Sequence, residues 1–168
     1  MTDTVRPAVA ADVDAITAMA SDRRSRYAQY QPVFWRPAAD AEKLHRPYLA
    51  KLVDRQDVIT LVSEESGTVS GITGFLIATI VGAPGVYDPG GLTCQIDDFV
   101  VVTPDRWATT GAQLLRSAIE LAAGRGAIQA VVVTAHLDEA KREALRLCGL
   151  SIASEWWVTS WPPETGEA

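Results

Sequence analysis

The stretch "PDRWATTGAQLL", residues 104–115, decides the fold. An arginine, a run of small residues and Gly111 lead straight into Leu114, Leu115 and Ala118 at helical spacing. The first backbone amides of a helix have no acceptor within it, and their aligned dipoles favour an anion. A loop feeding such an end can therefore hold a phosphate. Phosphate loops usually carry several glycines, which let the backbone approach closely. Here Trp107 and Thr109 occupy positions where small residues are expected, while threonine adds a hydroxyl donor and Arg106 a charge.

Working outward, "LTCQIDDFVVV" (92–102) reads as a strand whose three valines are buried on both faces. Downstream, Leu114, Leu115, Ala118, Ile119, Leu121 and Ala122 form one helical face closed by Gly124 and Gly126. "AIQAVVVTAHL" (127–137) reads as a buried strand. "DEAKREALRLCGL" (138–150) is a short helix with Asp138 as candidate N-cap, Gly149 at its end and Ala140, Ala144, Leu147 and Cys148 on its apolar face. "SIASEWWVTSW" (151–161) is a last strand, with Trp156, Trp157 and Trp161 as core plus interface.

Upstream, residues 4–9 form a short strand, and Val13, Ile16 and Ala20 carry a helix that begins near Asp12. "PAADAEKLHRPYLAKLVDRQ" (37–56) is a second helical pattern, opposed by Pro47. "YAQYQPVFWRP" (27–37), between them, is aromatic and irregular. "DVITLVSEESGTVSGITGFLIATIVG" (57–82) is an antiparallel hairpin with a Glu-Glu-Ser-Gly turn. The order β-α-α-β-β-β-α-β-α-β predicts an α/β fold, one mixed sheet flanked by helices, in a single domain over residues 1–168 with its core at about 4–161.

A formal net charge of −6 opposes a nucleic-acid partner, whose affinity comes largely from Lys and Arg on phosphates, and mildly favours a cationic amine. The longest apolar run, near residues 72–81, is about half a membrane span, and the acidic start lacks the order of a signal peptide. Cys94 and Cys148 match no metal or redox spacing, so no metal is expected and a reducing, cytoplasmic setting is.

The run Ile96 to Gly126 resembles the Gcn5-related N-acetyltransferases, whose signature is a strand, then Arg/Gln-x-x-Gly-x-Gly/Ala, then a helix. Arg106 takes the arginine position, Thr109 that of the first glycine and Gly111 that of the second. The order of elements extends the resemblance over nearly the whole chain. The resemblance implies that acetyl-CoA is the cosubstrate. Backbone groups of Val100, Val101 and Val102 would pair with its pantetheine arm, with a bulge there aiming an amide at the thioester. Arg106, Trp107, Ala108, Thr109, Thr110, Gly111 and Ala112 would hold its pyrophosphate.

Acetyl transfer needs a deprotonated amine, a stabilised carbonyl oxygen and a protonated leaving thiolate. Asp98 is the first candidate to contact or deprotonate the amine, with Asp97 second, since neighbours on a strand face opposite ways. His136 is a further acid or base, with a hydrogen-bonded loop histidine as the bland reading. Asp138 stands where the family often has a cofactor-contacting asparagine, and Leu145 where it often has the tyrosine that protonates the thiolate. Tyr27, Tyr30, Phe34 and Trp35 would wall the acceptor pocket, a core or dimer role being the alternative. The expectation is an N-acetyltransferase acting on a primary amine of a small molecule or an amino terminus, by direct attack in a ternary complex, and a possible homodimer. The rivals are a CoA-binding protein with little catalysis and a scaffold that has lost the cofactor.

Overall fold

The structure, a computed structural model, describes residues 3–65 and 71–161. Its five strands are β1 (Asp3–Pro7), β2 (Val58–Glu65), β3 (Ile72–Val81), β4 (Leu92–Val101) and β5 (Ala127–Val132), side by side in chain order. The first four are antiparallel neighbours, and β5 lies parallel to β4. Four helices flank the sheet: α1 (Val13–Tyr30), α2 (Ala41–Val53), α3 (Thr110–Ala123) and α4 (Glu139–Leu147). This is the mixed sheet the sequence predicts. The hairpin turn at residues 66–70 lies outside the described residues.

Alternation along the strands sorts the side chains into two cores. On one face Phe75, Ile77 and Val100 pack with Val13, Ile16 and Ala20 of α1 and Leu49 and Leu52 of α2. On the other, Leu76, Cys94, Ile96, Phe99 and Val101 pack with Leu114, Leu115, Ala118 and Ala122 of α3 and Ala144 and Leu145 of α4. Pro47 sits inside α2, where its missing N–H removes one helical hydrogen bond from an exposed turn, and the burial of Leu49 and Leu52 holds the helix regardless.

The sequence pattern misplaces several faces. Ile119 and Leu121 are exposed, so the buried stripe of α3 is narrower than its apolar positions suggest. On α4 the buried face is Lys141, Ala144 and Leu145, while Leu147 lies in solvent. Residues 151–161 form no strand, and Trp156, Trp157 and Trp161 are all more than four-fifths exposed. Strand β5 is consequently an outer strand among the described residues, and Ile128 and Val131, expected inside, are exposed. Val102 lies beyond the end of β4, also exposed.

Gly111 is required by packing. A Cβ there would lie 2.6 Å from Cε3 of Trp107, whose indole is buried and meets the ring of Phe99 edge-on at 4.8 Å. Trp107 thus fills the core beneath the first turn of α3, and the glycine makes room for it. At the other end of this layer Gly149 closes α4 with φ +86, a left-handed conformation in which the Leu150 amide reaches back to the Leu145 carbonyl.

Gly111→Ala is expected to destabilise the chain by about 1–3 kcal/mol through overpacking. Combining it with Trp107→Phe should cost less than the two single changes summed, because the smaller ring relieves the clash. Urea unfolding of the four proteins checks this, and strict additivity would reject the contact as the cause.

Candidate active site

Strand β4 runs through the site, and its pairing explains why. It stays paired with β5 from Leu92 to Ile96, where the Val133 amide donates to the Ile96 carbonyl at 3.1 Å. Beyond that point β4 continues to Val101 while β5 has ended, so the two chains part. On its other side β4 follows β3 to the end, but Ile77 faces Asp98 and Ala78 faces Ile96, which leaves Asp97 as the extra residue of a β-bulge. The bulge therefore lies at the parting of the strands, three residues before the valines where it was expected.

Alternation along β4 then sorts the edge groups. The Val102 amide donates to Thr73, on the β3 side, so Phe99 and Val101 are the residues whose backbone faces the gap, with Val100 and Val102 facing β3. The gap is bridged at Phe99. Lys141 of α4 is wholly buried, and its Nζ donates to the carbonyls of Phe99 (3.1 Å) and Val133 (2.9 Å), 5.2 and 5.3 Å from the ring centres of Phe99 and Trp107. Burial and the charge of Arg23 pull this amine down to about 7, against the attraction of Asp138 and Asp98.

The loop of residues 104–112 is braced by its side chains. Arg106 donates to Asp3 and to Glu65, and the Thr110 hydroxyl to Asp3. Burial pushes the Asp3 carboxyl up, but the hydrogen bonds from Thr110 and Thr73 and the charge of Arg106 outweigh it and hold the carboxyl below its ordinary range. Arg106 is thereby directed at β1 and β2. The amides of Thr110, Gly111 and Ala112, in the first turn of α3, have no acceptor within the helix. Ala108 and Thr109 are exposed before it.

On the opposite face of β4 a groove of about 600 Å³ opens between α1 and α2. Tyr27, Phe34 and Trp35 line it, and Tyr30 stands behind Tyr27 with ring centres 5.8 Å apart. Asp98 lies at the floor, ion-paired with Arg23 of α1 and 3.9 Å from Nε2 of His45 of α2. Arg24 approaches the other imidazole nitrogen, Nδ1, at 2.6 Å. An arginine can only donate, so Nδ1 accepts and the ring proton sits on Nε2, facing Asp98. Burial pushes the Asp98 carboxyl up, yet His45 and the charge of Arg23 prevail and hold it below the usual carboxylate range.

Of the remaining expected residues, Asp97 is exposed on the bulge, its two oxygens accepting from the Gln95 amide. His136 lies exposed in the turn before α4, its backbone carbonyl bonded by Arg142, apart from the Asp98 cluster. Asp138 precedes α4 without a side-chain capping bond, because its carboxylate accepts the Tyr27 hydroxyl at 2.8 Å. Arg23, His45 and Lys141 were not anticipated. For Lys141 a signal existed, since it shares a helical face with Leu145 and Cys148. Nothing in the spacing of Arg23 or His45 points to a strand more than fifty residues away. Among the described residues no cluster of metal-ligating side chains occurs, and no helix is long and apolar enough to cross a membrane.

No family model and no curated protein matches the sequence. Solved structures do match the fold. The BH1408 protein of Bacillus halodurans, as a tetramutant, superposes with a TM-score of 0.78 at 13% identity, over 94% of this chain and 99% of its own. A predicted acetyltransferase with acetyl-CoA from Clostridium acetobutylicum gives 0.67 at 17%, over 95% and 96%. Aminoglycoside N-acetyltransferase AAC(6')-Iy in complex with CoA gives 0.68 at 11%, over 94% and 93%. The chain has the fold of the Gcn5-related N-acetyltransferases.

Lys141 sets a pH dependence. Between about 7 and its ordinary value of 10.5 the unfolded chain holds a proton that the folded one lacks, so stability rises with pH across that window. The slope reaches at most about 1.4 kcal/mol per pH unit. Lys141→Met is expected to flatten the climb in urea midpoints measured from pH 7 to 10; a variant that climbs like the parent would show another group to be responsible.

Proposed function

We propose that the chain is an acetyl-CoA-dependent N-acetyltransferase acting on a primary amine, by direct attack in a ternary complex. The observation that carries this reading is the bulge at Asp97, where β4 leaves β5 with one edge towards a gap and, on its opposite face, the groove of α1 and α2. The parts present suit the cosubstrate. The Val101 backbone and the Phe99 amide, on the edge of β4 that faces the gap, fit an extended amide-bearing arm, the Phe99 carbonyl being taken by Lys141, and the first-turn amides of α3 fit a pyrophosphate. Bound there, acetyl-CoA supplies an activated acetyl group as a thioester.

The chain's own residues then position the amine and accept its proton. Asp98 is ionised and answered by Arg23 and His45, so it orients that pair and holds little capacity as a base. Asp97, on the bulge and open to water, is the carboxylate placed to take the proton through solvent. Tyr27, Phe34 and Trp35 hold the body of the acceptor. Leu145 is apolar and buried, so the leaving thiolate draws its proton from elsewhere.

One observation favours a second reading, a CoA-binding protein with little catalysis. Lys141 crosses the gap and occupies the Phe99 carbonyl, which an entering arm would otherwise meet. Calorimetry with acetyl-CoA, followed by thiol release across an amine panel, separates the two. Micromolar binding, about −8 kcal/mol, with turnover supports the first. Binding without turnover supports the second, and absence of binding removes both.

Under the first reading, Asp97→Asn is expected to lower kcat/KM by about tenfold to a hundredfold with acetyl-CoA affinity unchanged, a loss near the low end of general-base effects. Asp98→Asn should leave the shape of the pH–rate profile between pH 6 and 9 unchanged, because the carboxyl it replaces titrates below that window. A limb lost from that profile would return the base role to Asp98.

A further inference from the structure

The groove over Asp98 has a charge opposite to that of the molecule. The chain carries −6 overall, yet the described residues lining the groove include three arginines, Arg23, Arg24 and Arg36, and one carboxylate, Asp98. Arg23 answers Asp98 directly, and also donates to the Asp97 carbonyl at 3.1 Å. An ammonium group approaching Asp98 would have to displace a guanidinium whose side chain is only 17% exposed. Arg24 is different. Its partner is the Nδ1 of His45, a neutral acceptor, and it forms no ion pair among the described residues. Among the described residues, the Arg24 guanidinium therefore has no counter-ion, in a groove also lined by Tyr27, Trp35 and Tyr48, which favours an anion over a cation.

We infer that the acceptor is an amine that also bears a carboxylate on an aromatic or apolar body, with Arg24 receiving the carboxylate. The inference rests on the reading of this groove as the acceptor site, and it reverses the expectation of a simple cationic amine drawn from net charge. The amine end is left to the exposed Asp97 on the bulge, beyond Arg23. A guanidinium suits the task because it meets a carboxylate with two parallel N–H groups, and aromatic walls hold a flat body without competing for its charge. His45, bonded on one side by Arg24 and facing Asp98 on the other, fixes the orientation of the guanidinium.

Three probes that share one ring isolate the groups: L-phenylalanine, phenethylamine, which lacks the carboxylate, and 3-phenylpropanoate, which lacks the amine. Calorimetric titration of each into the full chain, with no acyl donor present, reads binding apart from any acetyl transfer. Phenylalanine and phenylpropanoate are expected to bind at least tenfold tighter than phenethylamine, with the advantage shrinking as salt is raised. Arg24→Met should erase the advantage and Arg24→Lys retain part of it, both with unchanged thermal midpoints. Equal or tighter binding of phenethylamine, an advantage that survives Arg24→Met, or no binding of any probe at ten millimolar would each overturn the inference. Failure of acetyl transfer alone, with the carboxylate preference intact, would instead count against the proposed reaction.

Discussion

Where two strands part inside a protein, their facing backbone groups lose each other and must find new partners, because water is scarce there and an unpaired buried carbonyl is costly. The parting of β4 from β5 imposes that demand here. Lys141 meets it by carrying an amine across the gap to one carbonyl on each side, with two aromatic faces close by. Much of the local architecture follows from this bridge. Trp107 must lie beside the amine, Gly111 must be bare above Trp107, and α3 must begin where it does. The cost of keeping an amine dry is carried as a depressed proton affinity.

The order of elements was readable because periodicity is a local property. Val13, Ile16 and Ala20 mark α1, the β-branched run of 72–81 marks β3, and both kept their burial in the structure. What failed was the identity of the neighbour. Ile128 and Val131 are strand-like residues, but whether they are covered depends on another segment lying beside them. Residues 151–161, which carry the same kind of apolar pattern, do not do so. Leu147 and Lys141 exchanged roles for a related reason. Hydrophobicity alone ranks leucine inside and lysine outside, and only the two stranded carbonyls reverse the order.

The site was legible on the strand and in the aromatic residues at and after the end of α1, and illegible in the charged residues of the helices. Asp97 and Asp98 announced themselves as adjacent carboxylates, and the structure separates them, one on a solvent-facing bulge and the other beneath Arg23 and His45. The glycine of the loop was also visible, though its reason was not. A lone glycine before a helix suggests room for a ligand, whereas here the room is filled by an indole from four residues earlier. Arg106, which looked like a contact for phosphate, braces the loop against β1 and β2. Charges on a sequence do not reveal which partner folding will bring to them.

Tyr27 touches both halves of the molecule. Its ring is packed among the aromatic residues of the groove, while its hydroxyl reaches Asp138 at the start of α4, the helix that carries Lys141 across the sheet. Burial pushes that phenol up to about 12, so across the physiological range it remains a donor and the link persists. One aromatic side chain is thus a tie-rod between the two sides of β4. A molecule that draws α4 away from the gap loosens the wall of the groove, and a molecule that tightens the groove resists that movement. Were a guest on one side to shift α4, its coupling to the other side would be reciprocal: the factor by which one guest alters the affinity of the second is the factor by which the second alters that of the first.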